Sequence, residues 1–227
     1  MDTASSHAGG AAASEPFNVE GPDADLHQVV IVGGGAGGLE LATRAGDRLG
    51  RKRKAAITLI EKSQSHFWKP HLHEIAAGSM DLGTYEINHL AQAHWHGYRY
   101  RYGEVVAIDR VRQTVTTAPY IDEHGEMVIA PRVFRYDTLV IGIGSLTNDF
   151  GTPGVKEHAI ALETPQQAAR FHRRLVNACI RAHAQQAPRR PGQLTVAIIG
   201  AGATGVELAA ELHKTTRTLA VSYTHLR

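Results

Sequence analysis

Gly33, Gly35 and Gly38 follow directly on the apolar run Val29-Val30-Ile31-Val32 and precede the helix-favouring Leu39-Glu40-Leu41-Ala42. Glycines at this spacing between a strand and a helix suit the holding of a dinucleotide pyrophosphate, the alternative being a plain glycine-rich turn of an α/β domain. The first permits a tight turn, the second lets backbone approach the phosphates, and the third lets the helix pack closely on the strand. Phosphate oxygens then meet the free N–H groups at the helix N-terminus, where the dipole also favours negative charge. Glu61 supplies the acid such a site needs. It ends a second apolar run, residues 55–60, 23 residues beyond Gly38, against about 20 expected, and its carboxylate suits ribose hydroxyls.

The fingerprint recurs at Gly200, Gly202 and Gly205, after the apolar residues 194–199 and before Val206-Glu207-Leu208-Ala209. Two such turns in one chain imply two dinucleotides. The economical pairing is a flavin in the first and a nicotinamide cofactor in the second, so that a hydride can pass between them.

The elements that must position these residues can be read around them. A strand at 29–32 feeds a helix from near Gly37 to Leu49, stopped by Gly50. Arg51-Lys52-Arg53-Lys54 then reads as a solvated connection without interleaved aromatics, not a nucleic-acid patch. After Glu61 comes the segment with the least ordinary composition, His66-Phe67-Trp68-Lys69-Pro70-His71-Leu72-His73-Glu74. His71, His73 and Glu74 invite a metal reading, but alternate residues share a face only in a strand and no second ligand cluster accompanies them. No metal is expected. The segment reads as chain passing over the flavin, with Pro70 fixing it and Lys69 near an anionic or electron-rich edge; a plain surface loop is the alternative.

Residues 74–96 are expected to be helical with connections, with His89, His94 and His96 at the surface or internally satisfied. Strand alternation over 98–109, 114–117 and 127–129 suggests a small antiparallel β unit in the first domain, with Tyr98, Tyr100 and Tyr102 packing on one face. Residues 136–145 read as a buried strand ending in glycine, which allows close backbone approach at Gly144. Pro153 and Gly154 mark a crossing between domains. Thr164, Pro165 and Gln167 form a capping box with a first-turn proline, opening a helix to about His183.

Composition sets bounds on function. Hydrophobic residues at 43% and charged residues at 20% are ordinary for a globular protein. A net charge of +2 gives no reason to expect nucleic acid. Cys179 is the only cysteine, which leaves no disulfide framework, thiolate metal site or dithiol pair among these residues. No apolar stretch approaches the roughly 20 residues of a membrane span. The N-terminus lacks the pattern of a standard secretion signal. Residues 1–27, rich in Ala, Ser, Gly and Asp, read as a disordered lead-in.

Taken together, residues 29–40, the run HFWKPHLHEIAAG at 66–78, YDTLVIGIGSLTNDFGTPGV at 136–155 and IIGAGATGVELAAEL at 198–212 resemble type II NADH dehydrogenases. The resemblance extends from Gln28 to about Ala220. It places the chain in the FAD/NAD(P)-dependent pyridine nucleotide-disulfide oxidoreductase superfamily. The fold class it implies is α/β, with two Rossmann-like dinucleotide-binding domains, FAD at 28–155 and the start of an NADH domain at 156–227.

The implied activity is single-subunit, non-proton-pumping NADH:quinone oxidoreduction in a respiratory chain. FAD and NADH are the implied cofactors and a membrane quinone the implied partner. Peripheral attachment to the cytoplasmic side of the inner membrane through C-terminal helices is also implied, and a homodimer is an open assembly. Gly33, Gly35 and Gly38 would cradle the FAD pyrophosphate, with Glu61 on its ribose, Lys69 and Pro70 near the ring, and Val106 and Gly144 approaching through backbone. Gly200, Gly202 and Gly205 would cradle NADH. Glu207 matches the glutamate that points toward the nicotinamide and quinone region. As a plain first-turn acid it would simply suit the helix dipole.

The chain departs from that family pattern at its end. Only 22 residues follow Gly205, too few for the second ribose-reading acid, the returning flavin segment or the membrane helices. Residues 222–227 resemble translated sequencing adapter. The expectation is an N-terminal fragment of a longer enzyme, inactive by itself.

Overall fold

A computed structural model describes residues 23–188 and 190–224. The expected lead-in falls almost wholly outside the described residues, as do the last three residues of the adapter-like tail. The chain divides into two compact units. One holds Met1–His66 and Asn88–Gly144, and the other Phe67–Ile87 and Ser145–Arg227.

The first unit opens with β1 (His27–Val32), α1 (Ala36–Ala45) and β2 (Ala55–Glu61). The chain leaves it at β3 (Ser65–Phe67), contributes α2 (Leu72–Ala77) to the second unit, and returns at β4 (Glu86–Asn88). Then follow α3 (His89–His96), β5 (Arg99–Tyr102), β6 (Val105–Asp109), β7 (Thr114–Thr117), β8 (Tyr120–Ile121), β9 (Met127–Ile129), β10 (Arg132–Arg135) and β11 (Thr138–Ile141).

The main sheet runs β11-β1-β2-β5, with every neighbouring pair parallel. Strands β1 and β2 read as continuous apolar runs because both faces of a parallel sheet are covered. Alternate residues then feed two cores. Ile31, Ile57 and Leu59 pack with Leu39 and Ala42 of α1, Ala93 of α3, and Tyr98. Val30, Val32 and Ile60 pack on the other face with Val115, Phe134 and Tyr136. That second face is covered by the antiparallel sheet β10-β7-β6.

Three expectations for this unit need correction. The first helix ends at Ala45 and gives way to a wide π turn over Gly46–Gly50, closed by the Arg51 N–H donating to Gly46 O at 2.9 Å. The cause is close packing against the end of α3. A Cβ on Gly46 would lie 2.1 Å from His96 O, and one on Gly50 2.0 Å from Gly97 O. Residues 98–109 are not one antiparallel strand, because Gly103 and Glu104 split them and β5 joins the parallel sheet. Finally, β11 is a sheet edge and not a buried strand; Ile141 is 57% exposed and Ile143 71%. The expected tyrosine packing does appear. Tyr98 is in the core with Tyr100 against it, and Tyr102 meets Tyr120 edge-on at 5.0 Å.

In the second unit α2 packs with α5 (Pro165–Ala184) and α6 (Ala203–Thr224), after the short α4 (Val155–His158). Phe67, Leu72, Ile75, Ala76, Ala168 and Leu208 form its core. The capping box is formed as expected. The Gln167 N–H donates to Thr164 Oγ1 at 3.2 Å, and Gln167 Oε1 accepts the Thr164 N–H at 3.1 Å. Thr164→Ala removes the cap and costs about 1 kcal/mol, read as a lower urea midpoint at unchanged slope. Residues 194–199 are the correction here. They are not a strand, since no strand among the described residues pairs with them and a strand exists through its ladder.

Candidate functional site

The first glycine turn is built by β1 running into α1. Gly33 has a φ of +101°, which an L side chain rarely adopts, and its N–H donates to Ile60 O at 2.9 Å. A Cβ on Gly33 would lie 2.5 Å from Gly142 O, and one on Gly38 only 1.8 Å from Gly33 O. Gly35 differs. It caps α1 in an extended conformation, and a Cβ there would meet nothing within 4 Å. The turn is therefore sealed against side chains at both ends and open at its middle. That is the shape a pyrophosphate needs over a helix N-terminus.

Glu61, at the end of β2, is drawn onto this turn. Its Oε2 accepts the Gly34 N–H at 2.6 Å and its Oε1 the Ser63 N–H at 2.9 Å. The Tyr100 hydroxyl donates to Ser63 O at 2.7 Å, holding the residues after Glu61. Burial, reinforced by the Glu61 charge, pushes the Tyr100 phenol well above its ordinary value, so it stays a neutral donor.

Two residues beside this turn escaped sequence reading. One is Gly142, whose backbone packs closely on the turn. Its N–H donates to Val32 O at 2.7 Å, and a Cβ on it would lie 3.6 Å from Gly38 Cα. Gly144 has a φ of +73° and open space about it. The other is His89, expected at the surface or satisfied. It is completely buried, and neither ring nitrogen has a hydrogen-bond partner among the described residues. Asn88 caps α3 by accepting the Ala91 N–H at 3.0 Å, which makes His89 the first helical residue and places it next to Gly34. A histidine inside a polar, charged stretch carries no burial signal. By contrast, His94 is exposed and His96 pairs with Asp47 at 2.9 Å, as expected. Val106 lies in β6 where the register with β7 shifts, and is 60% exposed.

In the second unit the other glycine turn repeats the first in part. Gly200 has a φ of +109° and a Cβ on Gly205 would lie 2.1 Å from Gly200 O, but a Cβ on Gly200, unlike one on Gly33, would meet nothing within 4 Å, and Gly202 is open as Gly35 is. The Val206 N–H donates to Gly202 O at 3.1 Å, as the Leu39 N–H donates to Gly35 O at 2.8 Å. The absence of a strand at 194–199 thus leaves the turn itself intact.

Glu207 stands in the first turns of α6, its Oε2 3.4 Å from His73 Nδ1. Lys69 and Pro70 form a tight turn over Lys69–His71, and the Lys69 ammonium lies 3.5 Å from Glu163 Oε2. Burial acts to raise the Glu163 carboxyl, but the Thr147 hydroxyl and Lys69 outweigh it and hold the group below its usual range. His71 Nδ1 lies 3.1 Å from Glu74 Oε1, and among the described residues no group of three or more His, Cys, Asp or Glu is arranged to hold a metal ion. The structure brings together Gly33, Gly35, Gly38 and Glu61 in one unit, and Gly200, Gly202, Gly205 and Glu207 in the other.

Residues 27–225 match the pyridine nucleotide-disulphide oxidoreductase family. The type II NADH:quinone oxidoreductase of Haemophilus influenzae is 40% identical over 200 residues, covering 83% of this chain and 45% of that protein. The type II NADH:quinone oxidoreductase NdhA of Mycobacterium tuberculosis is 30% identical over 188 residues, covering 82% of this chain and 37% of that protein. NDH2 from Plasmodium falciparum, solved in complex with RYL-552, superposes with a TM-score of 0.72 at 18% identity, covering 88% of this chain and 39% of that one. That likeness speaks for the fold. The chain spans less than half the length of these relatives. FAD and NADH are the cofactors such a membership implies, and the open middle of each glycine turn fits a dinucleotide. With a Rossmann-type α/β fold, two matching dinucleotide turns and a match over 27–225, the chain belongs to the pyridine nucleotide-disulphide oxidoreductase family.

Proposed function

We propose that the protein serves flavin-dependent NADH oxidation with a membrane quinone as electron acceptor, and that this activity belongs to a longer polypeptide of which these residues are the N-terminal part. The observation that carries the reading is the pair of glycine turns in one chain, each with a first glycine at strongly positive φ, an open middle glycine and a third glycine whose Cβ would strike the carbonyl oxygen of the first. When bound, FAD accepts a hydride from NADH and passes the electrons on one or two at a time.

The chain's own residues bind and orient. Gly33, Gly35 and Gly38 present the α1 N-terminus to the flavin pyrophosphate, and Glu61 offers its carboxylate to the ribose. Gly144 and Val106 approach the cofactor through backbone, and Lys69 with Pro70 shapes the ring end. Gly200, Gly202 and Gly205 hold the nicotinamide dinucleotide in the same manner. Glu207, with His73 Nδ1 at 3.4 Å in the second unit, is the catalytic candidate. Where disulfide reductases carry a cysteine pair after the first ribose-binding strand, this chain has residues 66–74 without sulfur, which favours a non-thiol acceptor.

Peripheral attachment on the cytoplasmic side of the inner membrane follows from the same reading. Among the described residues no helix is long and apolar enough to cross a membrane. The test is acceptor choice by the complete gene product. NADH-dependent reduction of a soluble quinone analogue at least about tenfold faster than of a ferredoxin is expected, a difference of roughly 1.4 kcal/mol in barrier. Preference for the ferredoxin would overturn the quinone assignment.

A further inference from the structure

We propose that His89 is a further binding residue of the first dinucleotide site, a buried hydrogen-bonding group at the Gly34–Glu61 junction that engages the adenosine diphosphate half of the bound flavin dinucleotide. The inference rests on the reading of the first glycine turn given above.

The geometry points one way. His89 is 0% exposed and both its ring nitrogens lack a hydrogen-bond partner among the described residues. A buried donor or acceptor left unsatisfied keeps its full desolvation penalty, so a ring with both nitrogens unpaired is either an expensive core residue or one kept for a ligand. Its position decides between these. A Cβ built on Gly34 would lie 2.6 Å from His89 Cε1, 2.8 Å from Nε2 and 2.8 Å from Glu61 Cγ. The imidazole edge, the Glu61 side chain and the phosphate-turn backbone therefore converge on one glycine, and any side chain there would separate them.

The ring is held from the other side. It stacks on Tyr100 at 5.3 Å and 27° and meets His66 at 6.5 Å. The titratable groups facing it are Glu61 from β2, His66 from β3 and Tyr100 from β5. Burial lowers its proton affinity, with His66 in the same direction, and Glu61 opposes them. The neutral ring carries one donor and one acceptor, matched to a ribose hydroxyl, which also offers one of each.

The experiment titrates FAD, followed by flavin fluorescence, into the purified protein and into His89→Leu and His89→Gln, with ADP as competitor. His89→Leu is expected to weaken FAD and ADP alike by about tenfold, the loss of one or two hydrogen bonds. The melting temperature of the cofactor-free protein should stay level or rise, because an unsatisfied group has gone. His89→Gln, which keeps a donor near the Nε2 position, should recover affinity to within about threefold of the parent.

Leu and parent proteins binding FAD equally would overturn the inference and leave the first site standing. A parent that binds neither FAD nor ADP would overturn the reading of the glycine turn, and this inference with it. Should His89→Leu fail to fold, ring nitrogen resonances of 15N-histidine protein, assigned by their loss in His89→Gln, provide the same decision. A shift on FAD addition supports the contact, and unmoved signals overturn it.

Discussion

Gly35→Val weakens FAD binding about a hundredfold while costing the fold little, and Gly38→Ala does damage of the opposite kind. Gly35 has an ordinary extended conformation with nothing within 4 Å of an added Cβ, so the folded chain accepts a side chain there. The valine methyls then occupy the face that the pyrophosphate must approach. Overlap of that sort costs about 3 kcal/mol, or roughly a hundredfold in affinity. Gly38 points into the protein, where a Cβ would sit 1.8 Å from the Gly33 carbonyl oxygen. That oxygen belongs to backbone held between β1 and α1 and cannot swing aside. Gly38→Ala should therefore lower stability by about 3 kcal/mol, more than the ~0.5–1 kcal/mol gained from better helix propensity. Thermal melts without cofactor and FAD titration separate the two. A Gly35→Val protein that binds FAD normally would show that the open middle of the turn is not the phosphate site.

The second large effect is Phe134→Ala, expected to cost about 3–5 kcal/mol. Phe134 is completely buried in β10, opposite Val115 of β7, and joins the small antiparallel sheet to Val30, Val32 and Ile60 of the main sheet. Truncation leaves a cavity where two sheets meet, and neither has a spare side chain to fill it. With total stability for a domain at about 5–15 kcal/mol, the loss takes roughly a fifth or more. A urea titration measures it, and a loss below about 1 kcal/mol would mean that the small sheet is not an integral part of the first unit's core.

What could be read in advance was whatever has a local cause. The strand–glycine–helix order at 29–42 forced the first turn, whereas the hydrogen bond that Glu61 accepts from the Gly34 N–H was not foreseen from its spacing. The Thr164–Gln167 cap depends on four consecutive residues and formed as expected. What could not be read depends on partners distant in sequence. β5 alternates like an antiparallel strand but joins a parallel sheet because β2 offers it an edge. The helix after Gly35 gives way early because α3, fifty residues later, presses on Gly46 and Gly50. His89 looked like one of several histidines in a polar stretch, and only the cap at Asn88 and the nearness of Gly34 set it apart. Residues 194–199 have every local property of a strand and lack only the neighbour that would make them one.

The most direct test of the account is the flavin absorbance of the purified complete gene product with FAD, recorded before and after NADH is added without oxygen. Retained yellow colour that bleaches on NADH addition is the result expected if both glycine turns hold their dinucleotides within reach of one another in the complete enzyme. Flavin that binds and stays oxidised in excess NADH would contradict the assignment of the second turn and the hydride transfer built on the pair.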